Sequence, residues 1–377
     1  MIDAYTVLAD CFRRHAGHAL QIEILPTEFF DGQPRDSPHL LEDGSDIGVG
    51  KDLLVEAFTT ARTLLLERGS DVQSKASRAA LMTATQVISL LDPEHLTAAN
   101  FRKRQLVALR AGMCEDENEE LEVDEEFSQA AREDKEFGQL VRKDKRFSQA
   151  IRVEMAFLDT LLTSTLSRHT KSPTLWNHRR WLLRTFFVFF IGSLPGKRVS
   201  KADFVDFYLS ELTFVRKASD RHPLNYHAWT YARSLMKHFA SLGLGGLFGT
   251  LRPQFIEVTH AWCAGHPADT SGWSFLLFLL HQRGSSEEQV ASVQTIFDHA
   301  DGYRWEFDSY CSMMRTILAS DAVLSLADRQ RFVSEIRQRL EVTRRRKDVA
   351  SSSASSNMAR CLDWIQRNWV EETLTPG

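Results

Sequence analysis

Apolar residues recur at helical spacing along almost the whole chain, as in Leu53, Leu54, Phe58, Ala61, Leu64 and Leu65, and clean period-two alternation is nearly absent. The pattern predicts an all-α protein. Pro93, Pro173, Pro223 and Pro267 each precede a helix-like run, where a fixed φ and a missing N–H do no damage, so they read as punctuation at helix starts. Residues 26–50 collect Pro26, Gly32, Pro34, Pro38, Gly44, Gly48 and Gly50 and are expected to form an irregular connector after a first helix. This divides the chain into an N-terminal helix and connector (1–50), a helical array (51–340), a basic and Ser-rich linker (341–357) and a terminal helix with its tail (358–377).

Within the array four segments share a pattern. They begin near Pro93, Lys171, Pro223 and Pro267, and they align on Ala99, Trp176, Trp229 and Trp273. An aromatic or His follows two residues later, and the first three segments carry a basic residue three or four later. The spacings of 77, 53 and 44 residues each suffice for a helical hairpin and its loops, so the expected architecture is a superhelical array, or solenoid, of antiparallel hairpins.

The first spacing is long because three ten-residue units stand in tandem at 127–136, 137–146 and 147–156. Ten residues at ~100° each fall ~80° short of three turns, so the small apolar clusters of successive units cannot line one straight face. Residues 115–126, just before them, hold nine acids in twelve. Residues 115–156 are therefore expected to be an insertion, partly disordered and partly helical, whose units 127–156 could be deleted with the array still folded.

Composition narrows the function. A 43% hydrophobic chain can build a core, and a formal charge of -4 gives no global field for nucleic acid or anionic lipid. Cys11, Cys114, Cys263, Cys311 and Cys361 lie far apart and odd in number, which argues against a disulfide framework and for a reducing compartment. The start of the chain does not read as a secretory signal, and the longest apolar run, Phe186 to Ile191, is far short of a bilayer span. The expected location is the cytoplasm, with no direct membrane insertion and no nucleic acid partner. Phosphate-loop, nucleophile-elbow and H-E-x-x-H motifs are missing, and no Cys/His/Asp set has metal-ligand spacing, so neither catalytic residues nor a metal site are expected in this chain.

Pro223-Leu224-Asn225-Tyr226-His227-Ala228-Trp229 and Trp176-Asn177-His178-Arg179-Arg180-Trp181 resemble the repeat of the protein prenyltransferase α-subunit family. The likeness extends to Leu25-Pro26 and to Thr97, Ala98, Asn100, Arg102 and Lys103, over about residues 20–283. It implies a crescent of helical hairpins that supports a catalytic β subunit, the β subunit holding a zinc ion that activates the substrate cysteine and a pocket for an isoprenoid diphosphate. The implied function is a non-catalytic α-type subunit of a protein prenyltransferase, a geranylgeranyltransferase with a β subunit of the Rab geranylgeranyltransferase type; the protein substrate would be met through that complex. Catalytic α subunits carry a Lys two residues before the repeat Tyr, where this chain has Leu224, and a His four residues after the repeat Trp in the next unit, where it has Leu277. The alternative those two positions motivate is a helical repeat scaffold without transferase activity.

Trp176, Trp181, Trp229 and Trp273 read as repeat packing residues, since a buried indole supplies large apolar area and one N–H to satisfy. His178, Arg179 and Arg180 splay over ~200° of one helix and cannot all serve one site. Asn225, Tyr226 and His227 stand at a helix start, where Asn is a natural cap. Asn225, Tyr226, His227, His178, Arg179, Arg180 and Arg233 are the candidates for an active-site rim or subunit interface. The cluster Arg337, Arg339, Arg344, Arg345, Arg346 and Lys347 reads as a solvated helix end, and Trp364 and Trp369 suggest a terminal helix that docks on the array.

Overall fold

A computed structural model describes residues 3–32, 38–69, 75–115, 145–191, 201–241, 245–282, 285–303, 307–347 and 357–372. It is predominantly helical, as the apolar period requires, and divides into two compact units, Met1–Leu235 and Met236–Gly377.

The first unit opens with α1 (Ala4–Arg14), which Asp3 caps by accepting the Thr6 N–H. The expected connector is in fact partly a three-stranded sheet of β1 (Gln21–Leu25), β2 (Leu40–Asp43) and β3 (Asp46–Gly50), in the order β1-β3-β2. β1 runs parallel to β3 with Gln21 opposite Asp46, and β2 runs antiparallel with Leu40 opposite Val49. The density of Gly and Pro concealed these strands. Gly44, at φ +59°, turns β2 into β3, and the short alternation of buried Ile47 and Val49 around Gly48 is a half-buried strand. The Leu20 N–H above the sheet donates to Thr160 Oγ1 at 2.9 Å.

Four long helices follow: α2 (Lys51–Arg68), α3 (Lys75–Leu91), α4 (Leu96–Glu115) and α5 (Lys145–Leu162). Of the proposed insertion, residues 116–144 lie outside the described residues. The last ten-residue unit, 147–156, is not an insertion. It belongs to α5, where Phe147, Ile151 and Glu154 are fully buried against neighbouring helices. Phe147, Ile151 and Glu154, at steps of four and three, line one face within a single unit, and a core needs no more than that. Deleting 127–156 is thus expected to unfold this unit rather than spare it.

The unit continues through α6 (Pro173–Phe186), α7 (Lys201–Arg221) and the start of α8 (Tyr226–Ser241). The second unit contains α9 (Gly245–Gly265), α10 (Thr270–Leu280), α11 (Ser286–Gly302), α12 (Asp308–Ala319), α13 (Leu326–Lys347) and α14 (Asn357–Glu372). Gly272 lets α10 lie close on α9: a Cβ there would stand 2.4 Å from the Trp262 ring. The terminal helix packs on α12 and α13 through Leu362 and Ile365. Arg339 on α13 pairs with Asp298 and Asp301 of α11.

Candidate functional site

The repeat alignment becomes a set of equivalent places on the second helix of each pair. Four residues before the aligned position stands a cap: His95, Ser172, Asn225 and Asp269 each accept the backbone N–H three residues on, from Ala98, Leu175, Ala228 and Gly272. Six residues before it stands a carbonyl that closes two bonds. The Trp176 indole Nε1 donates to Thr170 O at 2.8 Å, and Trp273 Nε1 donates to Pro267 O at 3.1 Å. The cap of the following repeat donates to the same place: Ser172 Oγ to Pro93 O at 3.2 Å and Asn225 Nδ2 to Thr170 O at 2.9 Å. Asn225, fully buried, thus terminates a helix with one side-chain atom and ties two repeats together with the other.

Two and three residues past the aligned position the side chains point inward. Phe101, His178, Tyr231 and Phe275 occupy the first place, and Arg102, Arg179, Ala232 and Leu276 the second, all buried. The two arginines are fully neutralised. Arg102 grips Glu154 with Nε (2.8 Å) and Nη2, while Nη1 donates to Met82 O and Thr85 Oγ1. Arg179 grips Glu211 with Nε (3.1 Å) and Nη2 (2.8 Å), reaches Asp159 with Nη1 and lies 3.6 Å over the Phe214 ring. Tyr231 donates its hydroxyl to Glu211. Burial alone would favour loss of the Arg179 charge, but Glu211 and Asp159 overcome it and hold that arginine firmly protonated. Burial would likewise raise the Glu154 carboxyl, yet Arg102 and His178 keep it below the usual range. His178 faces Glu154 at 3.3 Å, and burial holds its imidazole neutral, with a pKa of about 4.

Four residues past the aligned position the side chains are half-buried: Lys103, Arg180, Arg233 and Leu277. Lys103 Nζ stands 5.7 Å from the centroid of Trp181, and burial, then the charge of Arg180, lower its pKa. Among the described residues no carboxylate pairs with Lys103 or Arg180. Burial lowers the Arg233 pKa too, against the opposing influence of Tyr226. Tyr226 itself is 61% exposed, and the half-buried His227 packs against it edge-on at 5.5 Å. Leu224 is also exposed, with a φ of +59° that places it in the left-handed region just before the cap.

The sequence candidates therefore separate. His178, Arg179 and Asn225 are interior residues, and only Tyr226, His227, Arg180 and Arg233 reach a surface. Trp176, Trp229 and Trp273 are buried, whereas Trp181 is half-buried beneath Lys103. Sequence reasoning missed Glu154, Glu211 and the half-buried Lys103. Arg102 and Lys103 were visible as the counterparts of Arg179 and Arg180 in the first segment, but the acids lie 52 and 32 residues from their arginines.

Helix pairs stitched cap to carbonyl, three of them with an indole at the aligned position and the first with Ala99, define an α-helical repeat protein. The family model "Protein prenyltransferase alpha subunit repeat" matches residues 154–186 and 208–239, each match running from the first helix of a pair into the second. The chain is similar to the human Protein prenyltransferase alpha subunit repeat-containing protein 1, 30% identical over 125 residues, which is 30% of this chain and 29% of that protein. It is similar to the Xenopus laevis protein 1-B at 28% over 120 residues and to the Danio rerio protein 1 at 29% over 121, each match covering 30% of this chain and 27% of the relative. The matched stretch thus spans less than a third of each relative's own length.

Proposed function

We propose that this chain is the non-catalytic α-type subunit of a protein prenyltransferase, with a β subunit of the Rab geranylgeranyltransferase type as its partner. The observation that carries this reading is the pair Lys103 and Arg180, half-buried cations at the same place on successive helix pairs, with Tyr226 exposed at the start of α8. Among the described residues no carboxylate pairs with Lys103 or Arg180, whereas Arg102 and Arg179 one residue earlier grip Glu154 and Glu211. A partner surface that supplies anionic or hydrogen-bonding groups would relieve cations held half out of water. In this reading the zinc that activates the substrate thiol and the isoprenoid pocket belong to the β subunit. This chain would present the protein substrate and complete the rim through Tyr226, His227 and Arg233. Leu224 and Leu277 leave the diphosphate to the partner. Among the described side chains Cys11, Cys263, Cys311 and Cys361 are free thiols, which suits the reducing cytoplasm, and no described helix is long and apolar enough to cross a membrane.

The test is a binding titration of the β subunit against the wild-type chain and against Tyr226→Ala combined with Arg233→Ala. The expected outcome is affinity lowered at least tenfold with an unchanged melting temperature. Equal affinity for both chains would remove this face from the interface.

A further inference from the structure

The N-terminal helix and sheet bring together three side chains that the repeat architecture does not use. Cys11 lies in the last turn of α1, His15 is the residue that caps its C-terminal end four positions on, and Glu42 comes from β2. Cys11 Sγ, a ring nitrogen of His15 and a carboxylate oxygen of Glu42 all lie within 4.8 Å of one another, and His15 Nε2 is 3.1 Å from Glu42 Oε2. Ligand atoms on a tetrahedral zinc ion, at bond lengths of about 2.0–2.3 Å, stand roughly 3.3–3.7 Å apart, so small side-chain movements would close this group on a metal. We propose that Cys11, His15 and Glu42 form a site for a divalent transition-metal ion of the zinc class, with water as a fourth ligand.

The chemistry of the donor set favours this ion over magnesium or calcium. One thiolate, one imidazole and one carboxylate are the soft and borderline ligands that select zinc or its neighbours, and their combined charge of about -2 matches a dication. Arg14 donates to Glu42 Oε1, the oxygen turned away from His15, and so aims Oε2 at the site, which is the role an outer-shell partner plays around a metal-bound carboxylate. Binding would form S–metal, N–metal and O–metal bonds, break the S–H bond and release one proton to solvent. The ion would join the C-terminal end of α1 to the β2–β3 hairpin.

The full chain, stripped of metal with a chelator and reduced, is titrated with Co2+ and followed by absorption. One equivalent of cobalt is expected to give thiolate-to-cobalt charge-transfer bands, which zinc displaces with an upward shift in melting temperature. Cys11→Ser removes those bands, Glu42→Gln weakens cobalt binding at least tenfold, and Arg14→Ala weakens it by about tenfold. Bands that survive in Cys11→Ser would assign the metal to another cysteine and overturn the proposal, as would the lack of any band in the wild type. Glu42 is exposed, so Glu42→Gln keeps the test decisive even if Cys11→Ser fails to fold; equal cobalt affinity in Glu42→Gln and wild type overturns the site.

Discussion

Trp176 and Trp273 stand at the same place in their repeats and are held in the same way, each indole bonded to the carbonyl six residues upstream and each helix capped four residues upstream. Three residues further on the two regions part. Beside Trp176 lies Arg179, buried with Glu211, Asp159 and Tyr231; beside Trp273 lies Leu276, buried against apolar neighbours, with Tyr310 packed edge-on to the indole at 5.7 Å. The difference separates what the repeat requires from what it merely permits. Indole, cap and carbonyl recur because backbone groups at helix ends must be satisfied in any repeat. A leucine fills the equivalent buried place in the later pair, so the repeat itself does not require the ion pair.

Removing one member of the pair is the strongest way to break that comparison. Glu211→Ala leaves the Arg179 charge buried and should destabilise the chain by about 3–5 kcal/mol in chemical denaturation. Replacing both, Arg179→Leu with Glu211→Leu, imitates the Leu276 environment and should recover most of the loss; a double variant as unstable as the single one would show that the charges are indispensable. Trp229→Ala and Trp273→Ala should each cost about 3–5 kcal/mol, while Tyr226→Ala should stay within about 0.5 kcal/mol because its ring is largely in water.

Acid should act through His178. Its folded pKa of about 4 lies below the ordinary value of 6.5, so the unfolded chain binds the proton first and stability falls as pH drops from 6.5 towards 4. The loss attributable to this residue by pH 5 is on the order of 2 kcal/mol. His178→Phe, which copies Phe101 and Phe275 at the same repeat position, should flatten the pH profile of the melting temperature in this range. The caps count for less than the indoles: Asn225→Ala should cost about 1–2 kcal/mol, more than a surface cap, because it also frees the Thr170 carbonyl from its inter-repeat bond.

The helical class and the repeat register were legible because both rest on local periodicity: the indoles, the prolines six residues before Trp229 and Trp273 and the cap at Asn225 are all near neighbours in sequence. What sequence reading missed is nonlocal. Glu154 looked like one more acid in a ten-residue unit until the fold set it against Arg102, and the strands at 21–50 were too short to outweigh their glycines and prolines. His178 and Arg179, adjacent to Arg180, differ from it only in the direction they leave the helix, and that direction decides interior from rim. The Cys11, His15 and Glu42 group joins a helix to a strand 27 residues away, a distance no spacing rule covers.

The role proposed above for this chain is that of the supporting subunit of a protein prenyltransferase. Its most direct test is co-expression with the β subunit of a Rab-type geranylgeranyltransferase, size-exclusion chromatography and a transfer assay with labelled geranylgeranyl diphosphate. The account predicts one co-eluting complex that moves the label to a protein cysteine, with neither chain active alone. Separate elution of the two chains, or a stable complex that transfers no label, would contradict it.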